Sequence, residues 1–177
     1  MNIKAFSRSR CILFLRGEGL RSFADGNVNL ISIRDSNMRD PIFPDGEFVL
    51  NLVFDDIEPV VPGVEDVYIS QGQGPFTDQH KLMIDAFLKN VDRRLPLLLV
   101  NCHAGVSRSG AVALYAGHVL FGNFDMVIIE NPNINPNRWV LQKLGILQEW
   151  DISQTSVPIP AKRESCGFVH LVGRYFA

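Results

Sequence analysis

Three runs of apolar and β-branched residues punctuate the chain: Asn29-Leu-Ile-Ser-Ile33, Phe48-Val-Leu-Asn-Leu-Val-Phe54 and Leu97-Leu-Leu-Val100. The third has no polar residue interposed, which suits a central strand covered on both faces. A further run, Cys11-Ile-Leu-Phe-Leu15, follows the basic residues Lys4, Arg8 and Arg10; it is too short for a signal-peptide core and reads as the first buried strand. Between the second and third runs, Leu82, Met83, Ala86 and Phe87 recur at helical spacing behind Thr77 or Asp78 as N-cap, which predicts a helix over 77–88. A second helix is predicted over about 109–120, ending near Gly122, and a third over 137–147 with Pro136 just ahead of it. Strands alternating with helices predict an α/β fold, a mostly parallel central sheet flanked by helices. Residues 58–75 are rich in Pro and Gly and read as a long loop, a length that usually marks function or motion. The tail after Trp150 starts polar and ends in an apolar run at 168–172, a final strand or a docking segment.

Composition narrows the class. A chain of 177 residues is read as a single domain, 1–177, with room for a sizeable core. Lys plus Arg is 17 against 19 for Asp plus Glu, a net charge of −2, so a nucleic-acid partner is not expected. No run of about 18 apolar residues occurs, so neither a membrane span nor a membrane partner is expected. Three widely spaced cysteines, Cys11, Cys102 and Cys166, argue against a disulfide scaffold and for a cytoplasmic protein with reduced thiols. His80, His103, His118 and His170 lack ligand spacing, so no metal and no other cofactor is expected. A Walker-type Gly-rich loop is absent, and so is the second glycine of a serine-hydrolase elbow.

The chemistry is concentrated in Leu98-Leu-Val-Asn-Cys-His-Ala-Gly-Val-Ser-Arg-Ser-Gly110. A buried strand runs into Cys102, five residues follow, then Arg108, Ser109 and a helix. The backbone N–H groups of His103, Ala104, Gly105, Val106, Ser107 and Arg108 can curl into a nest that closes on the helix N-terminus. Gly105 permits positive φ at the tightest point. Such a cradle fits a tetrahedral dianion, and Arg108 adds a planar bidentate grip. Cys102 lies at the bottom of the cup, where the amides, the helix dipole and Arg108 all favour thiolate, placed for in-line attack on phosphorus.

Cys102, five residues, Arg108 and Ser109 resemble the signature of the cysteine-dependent protein tyrosine phosphatases. The form Ala104-Gly105-Val106-Ser107-Arg108-Ser109 is similar to the dual-specificity group and its small bacterial and phage relatives. Segments like Ile31-Ser-Ile-Arg-Asp35 and Leu52-Val-Phe-Asp-Asp-Ile57, and the Pro136-Asn137 pair, extend the resemblance over about residues 20–147. The C-terminal residues 151–177 are left unassigned.

The resemblance implies a tyrosine-phosphatase-like fold and a phosphomonoesterase. Its substrates would be phosphotyrosine proteins, with phosphoserine and phosphothreonine as a wider option, or small phosphomonoesters, and it would work through a phosphocysteine intermediate. The resemblance also implies that Ser109 steadies the departing thiolate and that a general acid stands on a separate loop. Of Asp55, Asp56 and Asp66, the Asp-Ile pair selects Asp56; Asp55 is the next candidate, with Asp56 then capping or pairing structurally. Asn137 either caps the third helix or helps order the site. Two departures stand out. The relatives carry His where this chain has Asn101, which can bond to backbone and hold the loop but adds no charge. The five-residue loop also has no lysine, which disfavours a highly charged lipid head group. The alternatives are a weak or inactive phosphate-binding pseudophosphatase and, from another class, sulfur transfer in the rhodanese manner.

Overall fold

The computed structural model describes residues 1–16, 28–39, 41, 43–44, 46–58 and 74–156. Among them, four strands form one sheet: β1 (Asn2–Ser7), β2 (Val28–Arg34), β3 (Val49–Val53) and β4 (Leu97–Cys102), in the spatial order β1-β4-β2-β3. Every pairing is parallel. The helices are α1 (Arg8–Phe14), α2 (Asp78–Asn90), α3 (Arg108–Phe121), α4 (Asp125–Glu130), α5 (Arg138–Leu144) and α6 (Leu147–Ser156). Strand β4 lies between β1 and β2, and Leu98, Leu99 and Val100 are fully buried, as its unbroken apolar run requires. One sheet face, with Ile3, Ile31, Ile33, Leu52, Leu98 and Val100, shares the larger core with residues of α2, α3, α5 and α6. On the other face Phe6, Val28, Leu30 and Leu99 pack with Cys11, Leu15 and Phe43. The α/β expectation therefore holds, with the sheet wholly parallel among the described residues.

Three local readings need correction. The run at 11–15 is not the first strand but lies in and just after α1. Ser7 caps that helix by accepting from the Arg10 N–H at 3.2 Å, and Cys11 and Leu15, four apart, are buried while Leu13 is 69% exposed. That is a helical period, not a strand's alternation. The strand precedes it, as β1. In α2 the apolar face is also shifted: Ile84 and Leu88 are buried while Leu82 is 62% exposed. Burying either side chain is worth about 1.5–3 kcal/mol, and Ile84 and Leu88 line up four apart on the face that meets β3, α3 and α5. The helix expected at 137–147 stops earlier, at Leu144, because Gly145 takes a left-handed cap with φ +83°; α6 then starts afresh. Asp66, Cys166, His170 and the apolar run at 168–172 lie outside the described residues.

The outer edge of β1 is closed by a side chain. Asn131 accepts from the Ala5 N–H at 2.7 Å and donates to the carbonyls of Ile3 at 2.9 Å and Val127 at 2.8 Å. Because all four strands run the same way, their carboxyl ends meet at one rim, where parallel sheets place ligands. That rim carries Arg8 after β1, Asp35 after β2, Asp55 and Asp56 after β3, and the 103–107 loop after β4. Among the described residues no helix is long and apolar enough to cross a membrane.

Candidate functional site

The loop after β4 is built so that its carbonyls turn outward. The His103 carbonyl accepts from the Arg8 N–H at 3.2 Å, Val106 from Asn135 at 3.3 Å, and Ser107 from both Asn137 at 3.3 Å and Ala111 at 3.0 Å. The Gly105 N–H points the other way, onto Cys102 Sγ at 3.3 Å. Gly105 adopts φ +79°, and a Cβ there would stand 2.2 Å from Ser7 N and 2.4 Å from the Phe6 carbonyl carbon. Only glycine lets the loop lie this close against β1.

Cys102 is buried, and its Sγ lies 3.2 Å from Ser109 Oγ. Helix α3 begins at Arg108 with Ser107 as N-cap, so Ser109 sits inside the first turn and its hydroxyl faces the sulfur rather than capping the helix. Cys11 is the contrasting thiol: burial among apolar neighbours pushes it up to about 12, the behaviour of an inert packing cysteine.

Arg108 is only 3% exposed. Its Nη1 donates to the Phe54 carbonyl at 2.7 Å and pairs with Asp35 Oδ1 at 2.7 Å, while its buried Nε has no hydrogen-bond partner and lies 3.9 Å from Asp56 Oδ2. Asp56 Oδ1 accepts from Ser107 Oγ at 2.7 Å and from Asn137 Nδ2 at 2.8 Å. Cys102, Ser109, Arg108, Asp56 and the loop are thus linked into one constellation. Within it His103 and Ala104 are exposed, and Gly105, Val106 and Ser107 are half-buried.

The two neighbouring aspartates have different surroundings. Asp55 accepts from Ser36 N at 2.9 Å, Ser36 Oγ at 2.5 Å and Gly74 N at 2.7 Å, so both its oxygens are occupied. Partial burial alone would raise its pKa, but the donors from Ser36 and Gly74 and the charge of Arg108 hold its carboxyl below the usual range. Asp55 ties the end of β3 to Ser36 and Gly74, whereas Asp56 reaches the loop. His80 supports the same segment. The Thr77 N–H donates to its Nδ1 at 2.9 Å, which puts the ring proton on Nε2, where it meets the Val53 carbonyl at 3.0 Å. Burial pushes this imidazole down, although the bond to Val53 opposes the shift.

Asn137 performs both of the roles considered for it. Its Oδ1 caps α5 through Val140 N at 2.9 Å while its Nδ2 holds Asp56. Asn101 departs from expectation: it is fully buried, and neither Nδ2 nor Oδ1 has a hydrogen-bond partner, so it does not hold the loop. It stands between Phe6 and Ser32 in the sheet register, and the loop is held instead by Arg8, Asn135 and Asn137. Sequence reasoning missed Arg8, Asp35 and the Ser107 hydroxyl as partners of this cluster. Asp35 ends the segment Ile31-Ser-Ile-Arg-Asp35 with no local signal of a role, and the basic character of the N-terminal residues is the only trace of Arg8.

No family model matches the sequence, and no curated protein matches it. Solved structures similar to this chain include human tyrosine phosphatase-like serine/threonine/tyrosine-interacting protein, at 23% identity and TM-score 0.43, covering 79% of this chain and 87% of that one. Human DUSP28 is 19% identical with TM-score 0.44, covering 86% and 94%. PTPMT1 in complex with PI(5)P is 12% identical with TM-score 0.47, covering 88% and 95%. They are likenesses of fold, and they say nothing of the small bacterial and phage type.

Proposed function

We propose that the chain is a cysteine-dependent phosphomonoesterase of the dual-specificity kind, acting on phosphotyrosine and also on phosphoserine and phosphothreonine in proteins. The observation that carries this reading is the buried Nε of Arg108, which has no hydrogen-bond partner and lies 3.9 Å from Asp56, the carboxylate that also holds Ser107 of the Cys102 loop. A buried guanidinium N–H with no hydrogen bond is costly, and a phosphate dianion supplies the acceptor it lacks.

In this reading the loop from His103 to Arg108 cradles the dianion, and the Arg108 guanidinium takes two of its oxygens. The Cys102 thiolate attacks phosphorus in line, the bond to the leaving oxygen breaks, and Asp56 gives its proton to that oxygen. Ser109, 3.2 Å from Sγ, donates to the sulfur when it leaves as thiolate in the second step. Water then attacks the phosphocysteine, gives its proton to Asp56 and releases phosphate. Asp56 suits the acid role better than Asp55, whose two oxygens are occupied by Ser36 and Gly74. A second reading, phosphate binding with little or no turnover, is favoured by Asn101, whose buried amide contributes neither charge nor a hydrogen bond.

The test is hydrolysis of p-nitrophenyl phosphate in the presence of EDTA, followed by phosphopeptides. Cys102→Ser should abolish turnover and Asp56→Ala should lower it strongly. A loss below about tenfold in Cys102→Ser would remove the nucleophile and with it the enzyme reading. Phosphopeptide binding without phosphate release over hours selects the second reading.

A further inference from the structure

Arg108 is fixed from behind by a carboxylate that itself lies between two guanidinium groups. Asp35 Oδ1 meets Arg108 Nη1 at 2.7 Å, and Asp35 Oδ2 meets Arg8 Nη2 at 3.5 Å. We propose that Asp35 is a positioning residue that orients Arg108 for oxyanion binding, and that Arg8 in turn orients Asp35. The proposal rests on the reading of the 103–108 loop as a phosphate cup.

The argument is a count of donors. Guanidinium has five N–H groups in a rigid plane, two of them on Nη1. The Phe54 carbonyl accepts from Nη1, and the Asp35 carboxylate forms an ion pair with the same nitrogen. With that corner held from two directions, rotation of the plane is resisted, and the edge that carries Nε is left toward Asp56, which itself holds Ser107 of the loop. That edge offers parallel N–H groups, the geometry that grips two phosphate oxygens. Were Nη1 released, the side chain could satisfy its buried Nε on Asp56 and the fork would be lost to the ligand.

Charge supports the same role. Asp35 offsets the desolvation of a guanidinium that is 3% exposed, and Arg8 on its other side balances the added negative charge. Arg8 is bound to the loop a second way, through its backbone N–H to the His103 carbonyl. The junction of β1 and α1 is therefore part of the apparatus and not merely its neighbour.

The experiment measures orthovanadate affinity by calorimetry and p-nitrophenyl phosphate kinetics on the full chain, with a melting temperature beside each variant. Asp35→Ala should weaken vanadate binding and lower kcat/KM by roughly 10- to 100-fold, the loss of the ion pair that anchors Arg108. Asp35→Asn keeps an oxygen near Nη1 but not the charge, and should recover only part of both. Arg8→Ala should lose less than Asp35→Ala, because its contact is longer. Vanadate affinity and kcat/KM within about twofold of wild type in Asp35→Ala would overturn the proposal, as would losses that follow melting temperature alone. Should Asp35→Ala fail to fold, Asp35→Glu decides, since it keeps the charge but displaces the anchoring oxygen: unaltered vanadate affinity there overturns the assignment. A wild-type chain that binds vanadate without turnover sinks the phosphatase reading while leaving the Asp35 comparison intact; one that binds none removes both.

Discussion

Asn137 offers the sharpest separation of stability from chemistry, because one side chain serves both. Its Oδ1 caps α5 at Val140 N, and its Nδ2 donates to Asp56 Oδ1 at 2.8 Å and to the Ile57 carbonyl at 3.3 Å. Asn137→Ala removes all three contacts. Loss of the cap costs about 1 kcal/mol. The bond to a carboxylate is worth about 1.5–3 kcal/mol where water is excluded, and less here because Asp56 is 40% exposed. The unfolding free energy should therefore fall by about 2 kcal/mol in all. Asn137→Ser has nearly the same volume as the alanine variant but can still cap, so it should regain about 1 kcal/mol. Serine is too short to hold Asp56, so kcat/KM should drop by roughly 10-fold or more in both variants, about 1.4 kcal/mol per factor of ten. Urea unfolding and p-nitrophenyl phosphate kinetics on the two variants supply the comparison. If activity returns together with stability in the serine variant, Asn137 is a helix cap and nothing more.

Gly105→Ala should destabilise the fold by about 3 kcal/mol and disable the site, since a positive-φ residue with a side chain is strained and its Cβ meets β1 backbone rather than a yielding side chain; unfolding within about 1 kcal/mol of wild type would contradict this. His80 makes stability depend on mild acid. Its folded pKa lies below the ordinary 6.5, so its contribution is complete above that value and is lost as pH falls through 6.5 toward the folded pKa. A urea midpoint that drops from pH 7.5 to 5.5 in wild type but not in His80→Asn is the expected result, and equal drops in both would assign the effect elsewhere. Asp55, and Asp85 of α2, which accepts from Lys81 Nζ at 2.8 Å, do not interfere in that window, because their depressed carboxyl pKa values put their losses below about pH 4. Asp55→Asn should lower stability while retaining most activity, whereas Asp56→Asn should do the reverse; the opposite pattern in steady-state kinetics and thermal melts would exchange their roles.

The parts of the fold legible in the sequence are those where one local signal dominates. The apolar run at 97–100 specified a central strand because nothing polar interrupts it, and Gly122 marked the end of α3 because a left-handed cap favours glycine. The Cys102–Arg108 spacing was legible because strand, loop and helix are contiguous. Where tertiary contact decides, local signals misled. Cys11 and Leu15 fit a strand's apolar content as well as a helix's period, and only the Ser7 cap distinguishes them. Leu82 and Met83 have the hydrophobicity of a buried face, yet Ile84 and Leu88 are the ones that face the sheet. Asp35, which pairs with Arg108, and Arg8, which pairs with Asp35, carried no local signal because they lie 73 and 100 positions from Arg108 and come together only through the parallel alignment of strand ends.

The clamp that Asn131 places on β1 reaches beyond tidying a border. A parallel sheet that ends on a bare strand is a template for further strands, from a neighbouring molecule or from its own unfolding chain. Among the described residues, one amide group takes the place of a neighbouring strand at Ala5 and Ile3, so recruitment is refused at the middle of the strand. The same strand passes directly into Arg8, which grips the loop above Cys102. Whatever keeps that border from slipping therefore also keeps the nucleophile's surroundings in register, and resistance to clumping and readiness for chemistry share a single asparagine.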